Sequence, residues 1–174
     1  MIQYTFFDSP IGRLTLISEG DALTGLLLPD RAPPPGKETP RDPVLSATRA
    51  QLGEYFAGRR QDFDLPLAPA GTAFQRAVWS ELRRIPFATT ASYGEIAARV
   101  SRPRAVRAVG AANGANPIAL IVPCHRVIGS DGRLTGYGGG LPTKHWLLSH
   151  EAAVCGTTPR GHNPGQRLGD AVSR

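Results

Sequence analysis

The chain has 174 residues, of which 41% are hydrophobic and 20% charged, a composition typical of a soluble globular protein. No apolar stretch is long enough to span a membrane, and the first residues lack the basic and apolar regions of a secretory signal. We therefore expect a cytosolic protein without a membrane partner. Two cysteines are too few for a disulfide framework.

The net charge of +6 is unevenly distributed along the chain. Residues 1–70 carry a net charge of −2, residues 71–154 carry +6 and residues 155–174 carry +2. A basic domain attracts polyanions, above all nucleic acid. Charge alone leaves an ordinary basic surface as the alternative.

Residues 1–70 are predicted to form a small N-terminal α/β domain. Alternating apolar residues and turns predict three strands, at 2–6, 14–17 and 23–28. Six prolines within residues 29–43 predict a loop, and residues 44–57 have the apolar spacing of a helix. The Pro-rich segment 64–71 is typical of a linker, so we place the domain boundary after residue 70.

Residues 71–154 are predicted to form a compact helical domain. Its helices are expected at 72–84, 92–100, 104–112 and 143–151. A tight Ser-Arg-Pro turn at 101–103 joins two of them, and the second is rich in Arg and Ala. This pattern is typical of a helix-turn-helix, with an ordinary helical hairpin as the equal alternative. Residues 155–174 have the composition of a disordered tail.

The candidate reactive atom is the sulfur of Cys124. An apolar run closes there in Pro-Cys-His-Arg-Val, and histidine or cationic neighbours lower the pKa of a thiol. In an extended segment Cys124 and His125 would point to opposite faces, so a bridging water or a bend in the backbone would have to connect them. A third group must orient the imidazole. The acidic candidates, among which spacing does not choose, are Glu81, Glu95, Asp131 and Glu151.

Metal and phosphate sites are disfavoured by the sequence. Residues 1–123 contain neither Cys nor His, and the histidines lack ligand-like spacing to the cysteines. The run Gly136–Gly140 has no phosphate-loop pattern, and its glycines would instead let the backbone approach a flat ligand. Cys155 is interpreted as incidental. No cofactor is expected.

Five short motifs occur together in the second half: Ser-Tyr at 92–93, Arg-Ala-Val-Arg-Ala-Val-Gly at 104–110, Asn-Pro at 116–117, Val-Pro-Cys-His-Arg-Val at 122–127 and Gly-Tyr at 136–137. With them the chain resembles the O6-alkylguanine-DNA alkyltransferases, also called methylated-DNA–protein-cysteine methyltransferases. The resemblance is weak over the first 70 residues and close over 72–151. It implies an α+β fold with a ribonuclease H-like N-terminal domain and a winged helix-turn-helix-like DNA-binding and active-site domain.

The resemblance implies DNA repair by direct reversal. The protein would bind duplex DNA through the minor groove, rotate O6-alkylguanine out of the stack, and take the alkyl group on Cys124. O4-alkylthymine is implied as a second substrate. A thioether has no good leaving group for water, so each molecule would act once. The implied partner is double-stranded DNA containing O6-alkylguanine, and the implied protein is a monomer, with cooperative binding along DNA left open.

Residue roles follow from the same resemblance. His125 would act on Cys124 through a water, and Glu151 would orient His125. Asn116 would be a hinge between the recognition helix and the active-site loop, and Tyr93 would contact the flipped base and help to move its phosphate.

Further residues are implied to bind DNA or the base. Arg107 would fill the vacated place in the stack. The remaining implied contacts are to the DNA backbone by Gly94, Arg102 and Ser130, and to the base by Val127, Tyr137 and the backbone N–H of Gly138. Some family members have serine at position 138, where glycine would widen the pocket, and some bind zinc in the first domain through Cys and His, which are absent here.

Two functions of other classes remain as alternatives. A non-enzymatic protein that only marks alkylated bases would lack the cysteine, so Cys124 argues against it. A cysteine hydrolase would turn over many times, whereas an alkyltransferase gives a stoichiometric burst only.

Overall fold

The computed structural model describes residues 1–157, and the predicted tail lies outside the described residues from position 158 onward. The chain begins with strands β1 (Ile2–Ser9), β2 (Gly12–Glu19) and β3 (Ala22–Leu27), which confirms the three predicted strands. They pair antiparallel in the order β3-β2-β1. The β1–β2 turn requires Gly12, whose φ of 109° disfavours side-chain-bearing residues.

The Pro-rich segment is less irregular than its composition predicts. A two-residue strand, β4 (Lys37–Glu38), pairs in parallel with β1 at the edge of the sheet. Helix α1 (Pro43–Phe56) begins at the last of the six prolines, because the first helical position needs no N–H donor. Asp42 caps α1 by accepting from the N–H of Leu45 at 2.9 Å. The buried side of α1 covers the sheet.

The second half contains four helices and one short pair of strands among the described residues. Helices α2 (Ala73–Leu82) and α3 (Tyr93–Arg99) both start with capping boxes, built by Thr72 with Gln75 and by Ser92 with Glu95. Helices α4 (Val106–Gly114) and α5 (Leu141–Val154) follow. Strand β5 (Ala91–Ser92) pairs in parallel with β6 (Val127–Ile128). The predicted α+β class is confirmed.

The helix following the tight turn is displaced along the chain from its prediction. It begins at Val106 rather than at residue 104, because the turn continues through Ala105, whose N–H donates to the carbonyl of Arg102 at 2.9 Å. It also continues through Asn113, which is buried against the core. Helices α3 and α4 pack against each other and against α2, in the arrangement predicted for a helix-turn-helix.

One hydrophobic core runs through both halves of the described chain. The N–H of Leu26 in β3 donates to the carbonyl of Pro117 at 2.9 Å, and the N–H of Ala119 donates back to Leu26. Side chains from the sheet, α1, α2 and the segment 118–122 belong to the same buried cluster. The N-terminal sheet thereby supports the segment that leads to Cys124. Within residues 1–157, no helix combines the length and apolarity needed to cross a membrane.

Candidate active site

The backbone bends at the candidate reactive cysteine. Cys124–Arg126 form a single 3₁₀ turn after Pro123, whose carbonyl accepts from the N–H of Arg126 at 3.0 Å. Of the two geometries considered from the sequence, the structure has the bend and not the extended segment. Successive side chains of a 3₁₀ turn point about 120° apart. Cys124 lines a cavity of about 610 Å³, whereas His125 is wholly buried.

The structure brings one of the four acidic candidates to His125. Nε2 of His125 lies 2.8 Å from Oε2 of Glu151 in α5, and both side chains are completely buried. Glu81, Glu95 and Asp131 are engaged elsewhere, with Arg84, the α3 cap and Arg133 respectively.

The hydrogen bond to Glu151 fixes the tautomer of His125. An ionised carboxylate only accepts hydrogen bonds, so Nε2 must carry the proton and Nδ1 must present its lone pair. Nδ1 has no hydrogen-bond partner among the described residues. Burial lowers the pKa of His125 below its usual 6.5, against the opposing effect of Glu151. The ring is therefore neutral at pH 7, with a free basic nitrogen.

Glu151 is the most heavily hydrogen-bonded side chain of the site. Arg126 approaches it with Nε at 2.9 Å and Nη2 at 3.1 Å, and the N–H of Ala88 donates at 3.3 Å. The hydroxyl of Tyr55, from α1, donates to Oε2 at 2.7 Å. Burial opposes ionisation, but the interactions with His125 and Arg126 hold the pKa of the Glu151 carboxyl well below its usual range. The carboxylate is ionised throughout the physiological range.

The thiol of Cys124 is not activated in the resting protein. Burial raises the pKa of Cys124 above its usual value, and a hydrogen bond with Asn116 and the charge of Lys144 offset only part of this effect. Neighbouring groups therefore lower this pKa, as the sequence suggested, but burial outweighs them and the net shift is upward. His125 and Arg126 turn towards Glu151 instead of the sulfur. The thiol must lose its proton as it reacts.

Lys144 connects the active-site turn to the glycine-rich loop, a role that the sequence did not reveal. It is buried in α5, and its Nζ donates to the carbonyls of Val127 and Thr135. Burial lowers the pKa of Lys144 to about 8. Apart from Lys37 it is the chain's only lysine, and no motif marks it as different from a surface residue.

The cavity is built from both halves of the chain. The predicted site residues that line it are Tyr93, Asn116, Cys124, Tyr137 and Gly138. The N-terminal half adds residues that were not predicted, namely Leu26, Leu27, Leu28 and Arg31. A Cβ at position 138 would meet no atom closer than 3.9 Å, so glycine leaves this part of the cavity open.

Val127, predicted to line the base pocket, lies elsewhere. Its side chain is fully buried, and the described lining of the cavity does not include it. The residue begins β6, and its carbonyl accepts the hydrogen bond from Lys144. Val127 is thus linked to the cavity wall only indirectly, because the same lysine also donates to the carbonyl of Thr135, which lines the cavity.

Asn116 lies between α4 and the active-site turn, where a hinge was predicted. Its Nδ2 donates to the carbonyl of Val122 at 2.8 Å, and its Oδ1 accepts from the N–H of Ile118 at 3.0 Å. Both bonds hold the segment that leads into Cys124. Asn113, which was not predicted, donates to the carbonyl of Cys124 at 3.4 Å.

The two tyrosines of the cavity differ in their hydrogen bonds. The hydroxyl of Tyr93 donates to the carbonyl of Thr135 at 3.3 Å and accepts from the Thr135 hydroxyl. The buried hydroxyl of Tyr137 has no hydrogen-bond partner within residues 1–157. A polar group of a bound ligand could satisfy it.

Of the residues predicted to contact DNA, Tyr93 is half-buried and lines the cavity, whereas four are exposed and lie outside its described lining: Gly94, Arg102, Arg107 and Ser130. Arg107 is on α4 beside Val106, whose exposed fraction of 41% is unusual for a large apolar side chain. Gly94 lies at the start of α3, and Arg102 lies in the turn between the two helices. The helix-turn-helix thus presents cationic and apolar groups to the outside.

Two family models match the chain. Residues 2–69 match the ribonuclease-like domain of 6-O-methylguanine DNA methyltransferase, and residues 73–153 match the DNA-binding domain of the same family. The methylated-DNA–protein-cysteine methyltransferase of Mycolicibacterium paratuberculosis is 51% identical over 155 residues, covering 87% of this chain and 93% of that protein. The Haemophilus influenzae protein of the same name is 44% identical, covering 86% of each chain.

Solved structures agree with this result. The crystal structure of Mycobacterium tuberculosis O6-methylguanine methyltransferase superimposes with a TM-score of 0.80 at 47% identity, covering 88% of this chain and 94% of that one. The Mycobacterium tuberculosis OGT in complex with DNA gives a TM-score of 0.82 at 49% identity, with coverages of 87% and 94%.

Proposed function

Since the chain belongs to the 6-O-methylguanine DNA methyltransferase family, whose members are DNA-repair methyltransferases, we propose that it transfers the alkyl group of O6-alkylguanine in double-stranded DNA to Cys124, once and irreversibly. The observation that carries the proposal is the position of this thiol, at the wall of a cavity and directly before a buried His125–Glu151 pair. Both relatives are named methyltransferases, which favours alkyl transfer over the two alternative functions, a cysteine hydrolase and a non-enzymatic protein that only marks alkylated bases.

The proposed reaction is a displacement at the carbon attached to O6. The Sγ–carbon bond forms as the O6–carbon bond breaks, and the thiol proton passes through a water to Nδ1 of His125. The guanine, which leaves as an anion, then takes up one proton. The products are an unmodified base and a thioether. The fixed tautomer of His125 supports this path, because Nδ1 is the free nitrogen. Ionised Glu151 then stabilises the imidazolium.

Base flipping is proposed because the sulfur lies in a cavity of the protein, where a base stacked in a duplex cannot reach it. The flipped base would be received by Tyr93, Tyr137 and the backbone N–H of Gly138, with Asn116 as the hinge beside them. The same cavity would take O4-alkylthymine. The volume of about 610 Å³ supports this assignment, because it leaves room for a base with its alkyl group.

DNA contact is proposed for the exposed side of the helix-turn-helix. Helix α4 would approach the minor groove, and Arg107 would enter the stack where the base has left it. Gly94, Arg102 and Ser130 would contact the DNA backbone. The basic charge of residues 71–154 supports this orientation, because phosphate contacts supply most of the affinity for nonspecific DNA.

The Arg107 role predicts a difference between two substrates. We expect Arg107→Ala to reduce repair of an O6-methylguanine duplex by about tenfold or more, because the flipped state loses the group that fills the stack. Transfer from free O6-benzylguanine should change less than twofold, about the level of a neutral surface substitution. The measurement is the rate of Cys124 alkylation by each substrate, compared between the unmodified chain and the variant. Equal losses on the two would contradict the role, and Arg13→Ala, on the N-terminal sheet, is the matched control.

We further propose that the protein acts as a monomer in the cytoplasm. All the site residues come from one chain, which supports the monomer. A free, essential thiol requires a reducing compartment, which supports the localisation. The division into domains at 1–70 and 71–154 is likewise proposed, and the two halves share one core.

A further inference from the structure

The carboxylate of the active site receives a hydrogen bond from the N-terminal half of the chain. Tyr55 lies in α1, is 1% exposed, and donates from its hydroxyl to Oε2 of Glu151 at 2.7 Å. The same oxygen lies 2.8 Å from Nε2 of His125. No motif of the second half points to this contact, because 96 residues separate the two partners.

We propose that Tyr55 is a positioning residue for alkyl transfer, which shares Oε2 of Glu151 with His125 and thereby sets the basicity of His125 Nδ1. The inference rests on the proposed function of Cys124 and deepens it. Tyr55 would touch neither the DNA nor the reacting atoms. It would act through the carboxylate, and the ribonuclease-like half of the chain would contribute a side chain to the proton path.

The distribution of donors around Glu151 supports this role. Oε1 accepts from Arg126 Nε and from the N–H of Ala88, whereas Oε2 accepts from His125, Tyr55 and Arg126 Nη2. Two carboxylate oxygens offer about four lone-pair sites, so five donors must share them. Removing the Tyr55 hydroxyl would return negative charge density to Oε2. The imidazolium form of His125 would then be stabilised, and the pKa of His125 would rise.

The position of the Tyr55 hydroxyl is set by packing. The ring packs against four aromatic rings, with centroid distances of 5.1 Å to Phe56, 5.6 Å to Phe63, 6.1 Å to Phe87 and 5.2 Å to His150. Burial raises the pKa of Tyr55 well above its usual value, so the group remains a donor throughout the working range. A rigid, always protonated donor is suited to holding the carboxylate in one orientation.

The other titratable groups near this carboxylate limit the interpretation of a pH profile. They are His125 and Arg126 from the active-site turn, with Cys124, Tyr137 and Lys144 interacting with members of the group. The pKa values of Cys124 and Tyr137 are raised, so these groups stay neutral on the acidic side, and Lys144, at about 8, is protonated there. His150 of α5 also contacts the Tyr55 ring, with centroids 5.2 Å apart, so the acidic limb of the rate profile is assigned to His125 by comparison with the titration of His125 itself.

The test is the single-turnover rate of Cys124 methylation by an O6-methylguanine duplex, measured against pH for the full chain and for Tyr55→Phe. We expect the acidic limb of the variant to move to higher pH, because His125 becomes protonated earlier. We also expect a plateau about three- to tenfold lower, the effect of one hydrogen bond. A 15N NMR titration of His125 should move in the same direction. An unmoved limb would overturn the inference.

A matched control distinguishes the proposed positioning role of Tyr55 from a merely structural role. Trp146→Leu loosens the same contact between α1 and α5 without touching the Tyr55 ring or Glu151, since Trp146 packs on Phe56 and His150. It should lower the melting temperature and leave the acidic limb in place. A limb that moves equally in both variants would refute the role of Tyr55.

If the Tyr55→Phe variant folds poorly, replacement of Tyr55 by fluorotyrosine provides a second test. It keeps the shape of the side chain and donates more strongly, so the limb should move to lower pH, opposite to Tyr55→Phe. No movement would again overturn the inference. Failure of the proposed function is a different result, because the unmodified chain would then take no methyl group at Cys124 at any pH.

Discussion

Cys124→Ala is expected to abolish alkyl transfer while leaving binding to an O6-methylguanine duplex unchanged. The sulfur is the proposed acceptor, and among residues 1–157 the other thiol, Cys155, is exposed and lies outside the described cavity lining. The proposed DNA-binding surface on α3 and α4 does not involve the thiol. Loss of one small buried side chain should therefore leave the fold intact, at a cost of about 1 kcal/mol in the free energy of unfolding.

The measurement is transfer of a radiolabelled methyl group from duplex to protein, alongside a binding titration on the same duplex. Cys155→Ala is the matched control and should transfer a full equivalent. Transfer that survives in Cys124→Ala, or is lost in Cys155→Ala, would contradict the assignment of the acceptor. Joint loss of transfer and binding in Cys124→Ala would show that the substitution damages the fold.

Glu151→Gln is expected to slow transfer by about 10⁴-fold, the loss found when a buried carboxylate that orients a catalytic histidine is replaced by its amide. A glutamine amide presents N–H donors where His125, Arg126 and Tyr55 all need an acceptor. It therefore no longer fixes the tautomer in which Nδ1 is free. Single-turnover kinetics at saturating duplex separate this loss from any change in DNA affinity.

The same substitution should destabilise the protein at neutral pH. Breaking a buried ion pair by removing one partner costs about 3–5 kcal/mol. Because the folded pKa of Glu151 is lowered, its contribution to stability is present above the usual glutamate pKa and disappears only as the pH falls towards the folded value. The stability difference between the two proteins should therefore narrow on acidification. Kinetics are measured below the melting temperature of the variant.

Glu81→Gln provides the control, since within residues 1–157 the Glu81 carboxylate pairs only with the exposed Arg84, at 3.4 Å. It should change stability by less than about 0.5 kcal/mol and leave the transfer rate unchanged. Glu151→Gln with an unreduced rate would mean that His125 needs no carboxylate partner. The proton path proposed above would then be wrong.

Local sequence signals predicted much of this fold because they act over a few residues. Alternation of apolar residues predicted the first three strands, and Thr72 and Ser92 predicted the starts of two helices through their capping side chains. The boundaries of α4 were missed, because its start depends on a turn bond to Arg102 and its end on the burial of Asn113. The first is a local turn bond that the apolar pattern does not indicate, and the second is a tertiary contact.

The candidate site was predictable where one segment carries the chemistry and not where distant segments meet. Cys124 and His125 are adjacent in the sequence, but the turn that separates their side chains depends on Pro123 and the packing around it. The choice of Glu151 among four acids required the fold or a family resemblance. Tyr55 and Lys144 were missed because each reaches the site across the core, and neither has a neighbour that marks it.

The most direct test of the central claim is the mass of the intact protein after incubation with an O6-methylguanine duplex, followed by peptide mapping. We predict one added methyl group per molecule, located on Cys124, with no further gain when duplex is in excess. A protein of unchanged mass, a methyl group on another residue, or repair of many lesions by each molecule would contradict the account.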